Sequence, residues 1–139
     1  MRTAILAAIL SLAGGPALAA DPAEGEWLTQ DGGGKAVLAP CASRPRQLCG
    51  HTSWLRDPAA RGSRDANNPD PALKSRSRLG LPLLWGFERA APGRWTGGKI
   101  YDPNSGKTYD GKITATARGT LAVEGCVLML CRAQTWRRG

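Results

Sequence analysis

The feature that most constrains this chain is a two-residue alternation. Between Lys107 and Ala117, the side chains of Tyr109, Ile113, Ala115 and Ala117 alternate with Asp110, Lys112, Thr114 and Thr116. Successive side chains of an extended strand point to opposite faces, so this pattern makes one buried face and one wet face. Comparable short apolar segments recur at Glu24 to Gln30, Lys35 to Ala39, Leu48 to Leu55, Leu83 to Glu88, Arg94 to Tyr101, Thr120 to Cys126 and Cys131 to Arg138. Turn formers separate them: Asp31-Gly32-Gly33-Gly34, Asp102-Pro103-Asn104-Ser105-Gly106 and Arg118-Gly119. The pattern predicts an all-β chain of about eight strands, mostly joined by hairpins. A sequential antiparallel sheet of that size removes its exposed edges by closing, so the predicted architecture is a small up-and-down antiparallel barrel.

One stretch departs from the pattern. From Arg56 to Arg78 the chain is polar and rich in Pro, Asn, Asp and Arg, a long connection by ordinary standards. Within it, Asp70 is a good N-cap and Pro71 suits a first helical position, which predicts one short helical stretch over Pro71 to Arg78. The length of 139 residues fits one domain. With 18 glycines, 10 prolines and a single histidine, the composition excludes a long coiled coil, a multi-span membrane protein and an enzyme built on several histidine ligands.

Residues 1–19 read as a signal peptide. Arg2 supplies a short positive region, Thr3 to Ala13 is apolar except for Ser11, and Gly14-Gly15-Pro16 breaks any helix before the small-x-small site Ala17-Leu18-Ala19. An apolar run of about 11 residues falls short of the roughly 20 needed to span a bilayer. The expected mature protein is residues 20–139, a single domain, periplasmic or secreted, without a transmembrane segment and without a lipid-anchoring cysteine at its start.

Export bears on the four cysteines, since that compartment permits disulfides. Three pairings are open; Cys41–Cys49 and Cys126–Cys131 are favoured because each pair brackets a short turn and suits two sides of a hairpin. Zinc is the competing reading. The chain has no C-x-x-C and His51 is its only histidine, so no metal and no cofactor are expected.

The formal net charge of +8 becomes +7 once Arg2 is removed. Export makes nucleic acid an unexpected partner. Anionic envelope components are the available partners for the cations of the 56–78 connection and for Arg137 and Arg138. A solvated surface without a partner is the simpler reading.

Catalytic motifs fail on inspection. Gly106-Lys107-Thr108 resembles the end of a phosphate-binding loop, but Tyr101 stands where its first glycine belongs. Asp102 to Gly106 has a faint calcium-loop pattern, yet Ile113 occupies the position of the bidentate Glu. His51 and Ser53 share a strand face without the elbow a nucleophile needs, so a structural, hydrogen-bonded His51 is expected. Asp65 and Asp70 are read as capping and turn carboxylates rather than acid–base groups. No enzyme activity is expected.

The five tryptophans and two tyrosines, in a chain with one Phe, raise a question of the barrel interior. Eight strands enclose either packed side chains or one small ligand. Packing is one reading. The other is a cavity lined by Trp54, Trp85, Trp95, Tyr101 and Tyr109, holding a small hydrophobic or lipid-like ligand.

Taken together, Gly25-Glu26-Trp27, Leu48-Cys49-Gly50, Asp65 to Leu73, Trp95 to Pro103, Gly106 to Tyr109, Gly125-Cys126 and Cys131 to Arg137 resemble the exported bacterial family called domain of unknown function 2147. The resemblance spans nearly the whole mature chain and implies a lipocalin-like barrel without an established activity. Gly25-x-Trp27 is also similar to the barrel-closing signature of lipocalins, in which an arginine of the last strand stacks on the tryptophan. Arg137 or Arg138 would fill that role, and Arg137 is the residue assigned. The function expected is non-catalytic binding of a small apolar or amphipathic ligand. The alternative is an envelope interaction protein that uses its basic surface toward lipopolysaccharide, wall polymer or another protein.

Overall fold

The computed structural model describes residues 20–139, so the expected signal peptide lies outside the described residues. Eight strands follow in chain order: β1 Gly25–Leu28, β2 Gly34–Pro40, β3 Leu48–Leu55, β4 Pro82–Ala91, β5 Arg94–Asp102, β6 Lys107–Ala115, β7 Thr120–Val127 and β8 Leu130–Arg138. Each pairs antiparallel with its neighbour, and β8 returns to β1 through Trp27↔Arg138 and Leu28↔Arg137, closing the barrel. The predicted strands stand where alternation placed them, and Leu48–Leu55 keeps both its expected ends.

Antiparallel order sends alternate connections to opposite ends. Residues 29–33, 56–81, 103–106 and 128–129 gather at one end, called here the open end. Residues 20–24, 41–47, 92–93 and 116–119 gather at the other.

The core runs along the barrel axis from Trp27, Ala36 and Leu38 through Leu48, Leu84 and Phe87 to Ile113, Leu121 and Trp136. Gly98 and Gly111 face each other across β5 and β6 and leave room for the Phe87 ring. A Cβ on Gly98 would lie 2.3 Å from Phe87 Cδ2, and one on Gly111 would lie 2.8 Å from Phe87 Cζ. These two glycines are there for close approach.

The connection from β3 to β4 differs from expectation. It holds two short helical pieces: α1, Pro58–Arg61, capped by Asp57, and a 3₁₀ turn, Pro71–Leu73, capped by Asp70. The second ends at Leu73 rather than Arg78. Residues 76–78 turn extended because the chain pairs them with 63–65: Asp65 N–H donates to the Arg76 carbonyl and Arg78 N–H to the Ser63 carbonyl. Long-range pairing takes those backbone groups out of the helix, a choice local capping signals cannot anticipate.

Both favoured disulfides are present, Cys41–Cys49 and Cys126–Cys131. The second joins directly opposed residues of β7 and β8.

Candidate ligand-binding cavity

The closed end is built around Trp27. Its ring is buried, its Nε1–H donates to the Ala23 carbonyl at 2.9 Å, and the Arg138 guanidinium lies 3.9 Å from the ring centre. Arg138 also donates to the carbonyls of Glu24 and Pro22. Gly25 makes this possible: its φ is +116° and a Cβ would lie 2.4 Å from Arg138 Nη1. The stacking cation is therefore Arg138 and not Arg137. Side chains alternate along β8, so Arg137 points to the other face.

Asp21 fastens the same end. It accepts from the N–H groups of Ala23 and Gly93, from Trp95 Nε1 and from Arg89 Nε. Burial acts to raise its pKa, and these four donors outweigh that, holding the carboxyl below its ordinary range. Trp95 is thus a closed-end core residue.

At the open end a cavity of about 530 Å³ enters the barrel. Its apolar wall includes Leu55, Leu83, Leu84, Ile100 and Trp136; its polar wall includes Thr52, Arg78, Asn104 and Gln134. That volume falls in the range of small-molecule sites. Arg78 donates through Nη2 to Asn104 Oδ1 at 2.7 Å, and its Nε is buried without a hydrogen-bond partner. Among the described residues, Arg78 has no carboxylate partner within ion-pair distance. The other cation of the wall, Lys35, is held by Glu26 at 3.7 Å.

The cavity rim is held by a buried polar joint. Asp65 is wholly buried and accepts from the Tyr101 hydroxyl at 2.5 Å, Asn68 Nδ2 at 2.9 Å and Arg76 Nη2 at 3.3 Å. Burial alone would raise the Asp65 pKa; the three donors reverse that and lower it. Burial and the adjoining carboxylate push Tyr101 up to about 12. Asn67 adds bonds to the carbonyls of Pro103 and Asn104, so the 56–81 connection is tied to the β5–β6 turn.

Of the five aromatics expected around a ligand, Tyr101 alone lines this cavity. Trp54 lies beneath Lys35, 5.4 Å from Nζ to the ring centre. Trp85 is half-exposed and borders a smaller groove of about 290 Å³ with Arg76, Leu73 and Tyr101. Tyr109 stands opposite Ile100 and packs on Gly125. Trp136 is the aromatic the sequence reading missed. Gln134, Trp136 and Arg138 share one parity on β8, so assigning the stacking to Arg137 turns Trp136 outward, and the observed register turns it inward.

His51 is exposed, and Ser53 donates to Glu26 Oε2 at 3.0 Å rather than pairing with it. The expected hydrogen-bonded histidine is therefore not seen; its strand position faces water. Among the described residues there is no cluster of three metal-ligating side chains, and no helix long and apolar enough to cross a membrane.

A closed eight-stranded antiparallel barrel, plugged at one end by a tryptophan under an arginine and open at the other into a cavity, defines a lipocalin-like protein. The family model for an uncharacterized protein conserved in bacteria, DUF2147, matches residues 25–138, and the chain belongs to that family. Among solved structures it is similar to protein HP1028 from Helicobacter pylori, described as belonging to the lipocalin family. The two are 22% identical, the match covers 84% of this chain and 82% of that one, and the TM-score is 0.73. At that identity the likeness is one of fold. No curated protein matches the chain.

Proposed function

We propose that this protein is an exported, non-catalytic binder of a small amphipathic molecule with an acidic head, such as a fatty acid, taken into the open end of the barrel. The observation that carries this reading is Arg78: a guanidinium on the wall of a partly apolar cavity, with a buried Nε lacking a partner and, although Asp31 and Asp102 line the same cavity, no carboxylate within ion-pair distance. Arg78 is half-buried, so its guanidinium lies where water screens it less, and a ligand carboxylate would supply the missing counterion through charge-assisted hydrogen bonds. Leu84, Ile100 and Trp136 offer the chain of such a ligand an apolar wall. The neighbours of Arg76 and Arg78 favour this over a basic docking surface, because one is engaged by Asp65 and the other faces the cavity.

The test compares a medium-chain fatty acid with the alcohol of equal length by calorimetry on the mature protein. The acid is expected to bind, Arg78→Gln to weaken it by roughly tenfold or more, and the alcohol to be weak and indifferent to that change. Equal binding of acid and alcohol, or no binding of either, overturns the reading. Native mass spectrometry of protein from its own periplasm, against the denatured mass, would identify a resident ligand.

A further inference from the structure

Among the described residues, the β7–β8 hairpin ends in the most exposed apolar group. Val127 is 55% exposed, Leu128 95%, Met129 96% and Leu130 82%. Single exposed apolar residues are ordinary, whereas four in succession on a projecting tip call for a partner. Val127 pairs with Leu130, so Leu128 and Met129 alone make the turn. Leu128 has φ +54°, a left-handed conformation in which glycine or asparagine would be unstrained. The chain keeps a leucine there, at the point of greatest exposure.

The tip is also held outward. The Cys126–Cys131 disulfide staples the ribbon immediately behind it. The β6–β7 ladder stops at Asp110↔Cys126, and β8 meets β1 only at residues 137 and 138. No strand therefore flanks the tip on either side.

We infer that this tip inserts into the apolar layer of an anionic lipid surface. A convex finger of four apolar side chains suits a fluid hydrocarbon phase, which closes around it. The charges near it suit anionic headgroups. Arg132 follows on β8, and the 56–78 connection at the same end carries Arg56, Arg61, Arg64 and Lys74 besides the engaged Arg76 and Arg78, against Asp57 and Asp70 of the connection and Asp31 and Asp102 of the neighbouring turns. Insertion of the tip brings the open end of the barrel, where the cavity enters, toward the membrane. The inference stands whether or not the cavity takes an acid.

The test is flotation of the mature protein with vesicles of phosphatidylcholine mixed with phosphatidylglycerol. Binding is expected, weaker to phosphatidylcholine alone and weaker at high salt. The double change Leu128→Asn with Met129→Ser is expected to lower it by roughly tenfold or more. Asparagine accepts the left-handed turn, so the hairpin is retained, and cavity binding of ligand in solution should be unaltered. Met129→Ser alone, which leaves the strained position untouched, is expected to lose roughly threefold or more. Recovery of the protein free of anionic vesicles, or equal flotation of wild type and both variants, overturns the inference. So does concentration-dependent dimerisation in sedimentation that the double change abolishes while vesicles go unbound, since a second copy would then cover the tip.

Discussion

Tyr101, near the end of β5, donates its hydroxyl to a carboxylate oxygen of Asp65, 36 positions earlier in the chain and wholly buried. This bond joins the barrel wall to the long β3–β4 connection. Arg76 and Asn68 complete the donor set around the same carboxylate. Tyr101→Phe leaves a wholly buried Asp65 with one donor fewer. The expected loss is about 1–3 kcal/mol, read from the midpoint of urea unfolding at unchanged slope. Unchanged stability would show that the connection is held without this joint.

The same pair sets a pH dependence at both extremes. Tyr101 has its pKa raised from 10.0 to about 12 in the fold, so its contribution is complete below the unfolded value and lost as pH climbs from about 10 to about 12. Asp65 and Asp21 have theirs lowered below 3.8, so their contributions are complete above that value and lost as pH falls through the folded pKa values. Tyr101→Phe should flatten the alkaline limb of thermal stability against pH, and Asp65→Asn should flatten part of the acid limb. Limbs of wild-type shape in both variants would count against the joint.

At the closed end, Arg138→Ala removes the stacking on Trp27 together with the bonds to Glu24 and Pro22, and should cost about 1–3 kcal/mol. Arg137→Ala should stay within about 0.5 kcal/mol, as for an exposed residue without special contacts. Chemical denaturation of the two variants side by side distinguishes them, and an equal loss would place the stacking elsewhere.

Gly98→Ala should be among the most damaging small changes in the barrel. The added methyl would stand 2.3 Å from the buried Phe87 ring, which also lies close over the neighbouring Gly111. The ring is wholly buried and has no free space to move into, so the loss should reach about 3 kcal/mol. Gly62→Ala, with open space around it, is the control and should be near neutral. Equal melting temperatures for the two would contradict the packing described.

Replacing Cys126 and Cys131 by serine should lower stability by about 2 kcal/mol through the freed unfolded chain. The barrel itself should persist, because the pair closes a turn already fixed by the Val127↔Leu130 pairing. Circular dichroism and denaturant midpoints check both halves of that expectation.

Much of the architecture was legible because β-strands record burial locally. The alternation of Tyr109 and Ile113 with Asp110 and Lys112 announces a strand without reference to any other part of the chain. The two disulfides were legible because each links near neighbours. The cavity was not. Its residues come from β2, β3, β4, β5 and β8, from the β1–β2 and β5–β6 turns and from the β3–β4 connection, and which aromatic faces inward depends on strand parity. Along β8 a single residue decides it: stacking by Arg138 turns Trp136 into the cavity, and stacking by Arg137 turns it away. In the sequence Arg78 is one cation among several in the 56–78 connection, and only the fold of that connection places it on the cavity wall.

The sequence by itself determined the number and order of strands, their hairpin connections and the local disulfides, since periodicity and turn chemistry act over a few residues. Only the tertiary structure decided the closing register, the burial of Asp65 under Tyr101, the inward turn of Trp136 and the exposure of Val127 to Leu130. Each depends on contacts between residues far apart in the chain, or on which neighbours a segment lacks, and neither is written in local pattern.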